Sequence, residues 1–101
     1  MIEVYCSGCK IAMRGHAGYA PIGQDIVCAG ASTLYSTYLY STKAEESVEG
    51  EWKVLKADNH YKNRAIFGAI RTGFEMLCEH YPDHIRLVTA YPPQEKNNSL
   101  K

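Results

Sequence analysis

Cys28, His16 and Asp25 are the residues whose types and spacing could carry out nucleophilic chemistry. Asp25 precedes a mostly apolar segment that begins at Ile26, so it is predicted to be the N-cap of a helix. Cys28 then occupies the third position of the first turn, where the backbone N–H groups lack partners within the helix and favour negative charge. Because the thiolate is the reactive form of cysteine, and free amides can receive an oxyanion, this position suits a nucleophilic cysteine.

The carboxylate of Asp25 complicates this interpretation, since it caps the same N–H groups and opposes a thiolate nearby. A protonated histidine would restore the balance, and His16 is the candidate at the end of the preceding strand. Asp25 could also orient His16 or the loop that follows it. A lone cysteine in an apolar helix is more often a small core residue, and a lone histidine at a strand end is more often solvated. The pattern alone leaves these alternatives open.

Residues 15–32, GHAGYAPIGQDIVCAGAS, resemble the signature of the ribosomal-processing cysteine protease (Prp) family. The shared features are a Gly-His pair, a glycine-bearing loop, then Asp-Ile-Val-Cys-Ala and a run of small residues that ends in serine. The resemblance implies that His16 and Cys28 form a catalytic dyad. It also implies that the loop over residues 17–24, which contains Gly18 and Gly23, is mobile and closes over substrate.

Four further residues are candidates for supporting or substrate-binding roles: Gly15, Tyr19, Asp25 and Ser32. Ser32 lies one helical turn after Cys28 and shares its face. It could bond a backbone carbonyl or line the pocket, and the resemblance favours pocket lining. Tyr19 is predicted to pack within the loop or to contact substrate. His60, His80 and His84 are most simply surface residues.

The resemblance implies a cysteine endopeptidase that removes a short N-terminal extension from a large-subunit ribosomal protein. If the chain is phage-encoded, it implies processing of a phage structural protein instead. Family members are typically homodimers, and the chemistry of a Cys-His dyad needs no metal or organic cofactor.

The composition is consistent with one globular domain. The chain has 101 residues, of which 46% are hydrophobic, and eleven basic residues balance eleven acidic ones. We expect a domain over residues 1–93 and a polar, disordered tail over 94–101. The absence of a basic excess disfavours nucleic-acid binding. No signal peptide or membrane-spanning run is apparent, so we expect a cytoplasmic protein with no membrane partner. Cytosolic thiols stay reduced, so the four cysteines are interpreted as free thiols, a metal site or a nucleophile rather than as disulfides.

The predicted fold class is α+β, with two helices on one face of a small, mostly antiparallel sheet, in the order β-β-α-β-α-β. The strands are expected at residues 2–7, 10–16, 51–57 and 84–91. The first helix follows Asp25, and Asp58 or Asn59 is predicted to cap the second, which ends at Pro82. The polar residues 43–51 are interpreted as a connection.

Cys6 and Cys9 form a CxxC at the first hairpin turn, which is half of a zinc-knuckle pattern. A structural zinc needs four ligands, and the sequence offers no second CxxC. The alternative function is a non-catalytic binding module of the same fold, either stabilised by zinc through these two cysteines or one that kept the fold and lost activity. A protease predicts one fast-alkylating thiol at Cys28, whereas a zinc module predicts bound metal and loss of stability on chelation.

Overall fold

The computed structural model describes residues 1–21 and 24–90. The elements are β1 (Ile2–Ser7), β2 (Lys10–Arg14), α1 (Ile26–Thr42), β3 (Glu45–Glu49), β4 (Trp52–Lys56), α2 (Tyr61–His80) and β5 (Ile85–Val88). The strands form one sheet in the order β3-β4-β2-β1-β5, in which only the β1–β5 pairing is parallel. The predicted α+β class, with a mostly antiparallel sheet, is confirmed. The predicted tail over 94–101 lies outside the described residues.

The two helices lie on one face of this sheet because the apolar residues of the strands alternate with polar ones. Ile2 and Val4 of β1, Ile11 of β2, Leu55 of β4 and Ile85 of β5 are buried in one cluster with residues of both helices. The predicted apolar face of α2 is part of this cluster, with Ile70 and Phe74 buried within it. Neither described helix is long and apolar enough to cross a membrane.

The β1–β2 hairpin closes through a two-residue turn at Gly8 and Cys9. Both residues have positive φ, 54° and 64°, as the tight turns that match strand twist require. Cys9 is buried, and its carbonyl accepts a hydrogen bond from the Tyr38 hydroxyl at 2.7 Å. A buried bond from α1 therefore anchors this turn.

One strand was not predicted. Residues 43–51 were interpreted as a connection, but Glu45–Glu49 pair with β4 as an antiparallel edge strand. The segment EESVE has no alternating apolar pattern, because all five of its residues are exposed and none of them needs to be apolar. Charged residues are common on edge strands because they discourage pairing with another chain.

The start of the second helix also differs from the prediction. His60 is its N-cap, rather than Asp58 or Asn59, and the His60 side chain makes no capping hydrogen bond. The Asp58 carbonyl instead accepts from the side-chain amide of the buried Asn63 at 2.9 Å. A side chain inside the helix thus binds the preceding backbone, and the chain enters the helix later than expected.

A cluster of ion pairs between side chains forms on the sheet face that lies away from the helices. The Glu3 carboxylate accepts hydrogen bonds from Arg14 Nε at 2.7 Å and from Arg86 Nε at 3.0 Å, and Arg86 also forms an ion pair with it. These bonds, that from Arg86 first, hold the pKa of Glu3 below its ordinary value of 4.5.

Candidate active site

The N-terminus of α1 is built as the sequence predicts. Asp25 is the N-cap, in an extended conformation, and its Oδ1 accepts from the backbone N–H groups of Val27 and Cys28, both at 3.0 Å. Cys28 is therefore at the third position of the helix. Free amides of the first turn were expected to be able to receive an oxyanion, but those of Val27 and Cys28 donate to Asp25.

Asp25 also holds the loop that precedes the helix. Its second oxygen, Oδ2, accepts from the backbone N–H of Tyr19 at 3.0 Å. The amide of Cys28, followed by the loop amides of Tyr19 and Ala20, lowers the pKa of the Asp25 carboxyl because all three donate to its charged form. In this structure capping and loop attachment are carried out by the same carboxylate.

The Cys28 thiol receives a hydrogen bond from the loop. The backbone N–H of Ala17 lies 3.3 Å from Sγ, and Ala17 is itself buried. Cys28 is half-buried and borders a cleft of about 700 Å³. The described residues that line the cleft are His16, Gly18, Ala20, Gln24, Asp25, Ile26, Cys28, Ala29 and Ser32. The thiol is thus at the surface of a cleft that is large enough for part of a peptide.

His16 is exposed and lines the same cleft as Cys28. Its carbonyl accepts from the Met1 nitrogen at 2.6 Å, which ties its backbone to the start of the chain. Within the described part of the chain, no hydrogen bond joins the His16 ring to Sγ. Catalytic hydrogen bonds are often loose before substrate binds, so this geometry is compatible with a base that acts on Cys28.

Comparison with known proteins assigns the family. A family model described as cysteine protease Prp matches residues 2–86 of this chain. The chain belongs to that family. The resemblance predicted from the sequence motif is therefore confirmed. No curated protein sequence matches the chain.

Solved structures share the fold. The ribosomal processing protease Prp from S. aureus, with a covalently linked product peptide, superposes with a TM-score of 0.74 at 20% identity, covering 88% of this chain and 97% of that chain. The same protease with a substrate peptide gives 0.69 at 20% identity, covering 89% and 100%. SMU.848 from Streptococcus mutans gives 0.68 at 21% identity, covering 88% and 96%. At these identities the likeness shows the Prp fold and no more.

Gly15 and Gly18, two glycines of the Prp-like motif, differ in their surroundings. Gly15 has a φ of +94°, and a Cβ there would lie 2.3 Å from the Met1 carbonyl oxygen. Gly18 has a φ of +67°, and a Cβ there would meet nothing within 4 Å. Gly23 lies outside the described residues. The supporting roles of Gly15 and Ser32, like loop mobility, stay predictions.

His84 was expected to be a surface residue, and the structure corrects this expectation. It is half-buried, and its Nδ1 lies 3.0 Å from the carbonyl oxygen of Ala17. Its ring also packs edge-to-face against Tyr19, with centroids 5.2 Å apart. The Tyr19 ring thus packs on a residue outside the loop, and its predicted roles in loop packing and substrate contact stay predictions. Sequence reasoning missed His84 because no local pattern connects it with a residue 67 positions earlier.

The other three cysteines have different environments from Cys28. Burial raises the pKa of Cys6 to about 12 and also raises that of Cys78, while Cys9 is 2% exposed. Across residues 1–21 and 24–90, no three His, Cys, Asp or Glu side chains are grouped so that they could hold a metal ion. The CxxC at the hairpin therefore has no third ligand within the described chain.

Proposed function

We propose that this chain is a cysteine endopeptidase in which Cys28 is the nucleophile and His16 is the general base. The observation that carries the proposal is the position of Cys28, whose Sγ borders the cleft that His16 also lines and lies 3.3 Å from the Ala17 amide. An amide N–H directed at sulfur stabilises the thiolate over the thiol. Membership of the cysteine protease Prp family supports the reaction class.

The proposed reaction is covalent acyl transfer. His16 takes the proton from the Cys28 thiol, and the thiolate attacks the scissile carbonyl carbon to form a tetrahedral intermediate. The imidazolium of His16 then protonates the leaving amine, and the carbon–nitrogen bond breaks to leave a thioester on Cys28. His16 next takes a proton from water as its oxygen attacks the thioester carbonyl carbon. The carbon–sulfur bond then breaks, the new carboxyl terminus is released, and the imidazolium returns its proton to the Cys28 thiolate.

The proposed substrate is a large-subunit ribosomal protein from which the enzyme removes a short N-terminal extension. The S. aureus protein with the same fold is described as an essential ribosomal processing protease, and its structures hold a substrate peptide and a covalently linked product peptide. If the chain is phage-encoded, the proposed substrate is a phage structural protein. Ile26 and Ala29 give part of the cleft an apolar lining, which suits a peptide side chain.

The test incubates the purified protein with a large-subunit ribosomal protein that carries its extension and follows the products by intact mass. We expect one cut near the N-terminus, no cut with Cys28→Ala, and a cut with the matched control Cys78→Ala. We also expect chelation to leave the rate unchanged, since no step uses a metal. Cleavage that survives Cys28→Ala would overturn the assignment of the nucleophile.

Alkylation of the thiol tests the dyad without a substrate. We expect Cys28 to react with iodoacetamide faster than the other thiols, and His16→Ala to slow that reaction. If the wild type cuts no ribosomal substrate but keeps a His16-dependent Cys28, the ribosomal assignment fails and a phage structural protein becomes the substrate to test. A slow Cys28 in the wild type would overturn the catalytic proposal.

We also propose, on family resemblance, that the protein is a homodimer, and separately that it is cytoplasmic, as expected from the sequence. Light scattering coupled to size-exclusion chromatography measures the mass in solution, and twice the 11.3 kDa of the chain is expected. A mass that remains at one chain as the concentration rises would contradict the dimer. Cell fractionation tests the location.

A further inference from the structure

His84, which directly precedes the edge strand β5, connects that strand to the loop that carries the Ala17 amide. Its Nδ1 lies 3.0 Å from the Ala17 carbonyl oxygen. Because a carbonyl oxygen can only accept, Nδ1 must carry a proton and donate it. This bond is available both to the neutral Nδ1–H tautomer and to the imidazolium, so it does not depend on the charge of the ring.

The backbone of His84 is fixed on both sides. Its carbonyl accepts from the Ile2 N–H at 2.9 Å, at the start of the interior strand β1, and its N–H donates to the Tyr81 carbonyl at 2.9 Å. The Tyr81 carbonyl also accepts from the N–H of Ile85, at 3.1 Å. The ring therefore projects from a turn that the sheet and the end of α2 hold in place.

Aromatic contacts add a second attachment to the same loop. The Tyr19 ring meets the His84 ring edge-to-face with centroids 5.2 Å apart, and it meets the Tyr81 ring in the same way at 5.4 Å. The Tyr19 amide is bonded to Asp25. The loop is thus attached to the helix N-terminus through Asp25 and to the α2–β5 turn through His84 and Tyr81.

Ala17 relays this attachment to the nucleophile. Its carbonyl is held by His84, and its N–H is directed at Cys28 Sγ at 3.3 Å. Ala17 directly follows His16, which lines the cleft. His84 is not among the described residues that line the cleft. The hydrogen-bonded connection from His84 to the thiol therefore runs through the Ala17 peptide.

We propose that His84 is a positioning residue, whose Nδ1–H holds the Ala17 peptide so that its amide stabilises the Cys28 thiolate and His16 stays at the cleft. The proposal rests on the proposed function for the identity of the nucleophile. It adds a residue from the far end of the chain that sets the reactivity of that nucleophile.

Two substitutions separate the contribution of the His84 hydrogen bond from the contribution of its ring packing. His84→Asn keeps a donor near the position of Nδ1 but removes the ring that packs on Tyr19. His84→Phe keeps an aromatic ring but removes the donor. His80→Leu is the matched control, because the His80 Nδ1 lies 2.8 Å from a carbonyl of its own helix, that of Met76, and the residue is exposed.

The readout is the rate at which iodoacetamide modifies Cys28 at pH 7, measured by peptide mass, with the urea midpoint of each variant measured alongside. In His84→Phe we expect the alkylation rate to fall about two- to tenfold, which is the effect of losing the hydrogen bond from the Ala17 amide to sulfur. We expect His84→Asn to remain within about twofold of the wild type, and His80→Leu to be unchanged, on the same scale. A role in ring packing alone would instead slow His84→Asn and spare His84→Phe, and that result would overturn the proposal.

The same variants distinguish this proposal from the proposed function. If the wild type cleaves no protein substrate but His84→Phe slows alkylation and His84→Asn does not, the positioning role stands and the endopeptidase assignment fails. If the wild type removes the extension and His84→Phe does so equally fast, the positioning role fails and the endopeptidase assignment stands.

Discussion

Replacing Gly15 by alanine is expected to destabilise the protein more than the same replacement at Gly18. Both residues have positive φ, +94° and +67°, so alanine is strained at either position. That strain costs about 1–2 kcal/mol. The two positions differ in the free space around the new Cβ. At Gly18 it would meet nothing within 4 Å, whereas at Gly15 it would lie 2.3 Å from the Met1 carbonyl oxygen.

The clash at Gly15 is with backbone, which cannot rotate away as a side chain would. Contacts of a Cβ below 3.0 Å are essentially never seen, so the Met1 carbonyl must move by about 0.7 Å. This carbonyl leads into Ile2, whose N–H is bonded to the His84 carbonyl at 2.9 Å. Overpacking of this kind costs about 1–3 kcal/mol. The total for Gly15→Ala is then about 2–5 kcal/mol, against about 1–2 kcal/mol for Gly18→Ala.

Urea denaturation followed by circular dichroism measures both free energies of unfolding. For a domain of this size, 1 kcal/mol corresponds to about 4–8 °C in Tm, so Gly15→Ala should melt at least about 4 °C below Gly18→Ala. Because Gly15 precedes His16, whose carbonyl is bonded to the Met1 nitrogen, we also expect slower Cys28 alkylation in folded Gly15→Ala. Equal stability of the two variants would refute the steric reasoning.

Three further results are expected from other parts of the molecule. Cys28 should be alkylated in the folded protein, whereas Cys6 should react only on unfolding, because burial raises the pKa of Cys6 to about 12. Mass mapping of the labelled peptides checks this, and labelling of Cys6 before unfolding would contradict it. Tyr38→Phe removes the buried bond to the Cys9 carbonyl and should cost about 1 kcal/mol in a urea titration; an unchanged midpoint would argue against it. Glu3→Gln should cost about 1 kcal/mol at pH 7 after solvent screening of its partners. Because the folded pKa of Glu3 lies below 4.5, this stability is present above pH 4.5 and is lost as the pH falls through the folded pKa, so melting curves of the two proteins should converge in acid.

The features predicted correctly from sequence are those that depend on neighbouring residues. The N-cap at Asp25 and the helix position of Cys28 follow from a few adjacent residues, because capping is a local interaction. The apolar face of α2 follows from its spacing, which Ile70 and Phe74 confirm. These features explain why the order of the main elements could be predicted.

The features that were missed depend on strand pairing and side-chain bonds that leave no apolar pattern in the sequence. β3 carries no apolar alternation, and it is a strand only because β4 offers an edge for it to pair with. The α2 N-cap is His60, and the Asp58 carbonyl accepts a hydrogen bond from the Asn63 side chain inside the helix. His84 reaches Ala17 across 67 positions of the chain, and only the folded sheet brings them together.

The site also differs from the simplest account of a cysteine at a helix N-terminus. That account assigns stabilisation of the thiolate to the first-turn amides, but those of Val27 and Cys28 donate to the Asp25 carboxylate at 3.0 Å. The amide directed at Sγ comes from Ala17 in the loop. Asp25 thus occupies the helix donors and, through the Tyr19 amide, holds the loop that supplies the replacement. The reactivity of Cys28 should therefore follow the position of the loop more closely than the strength of the helix dipole.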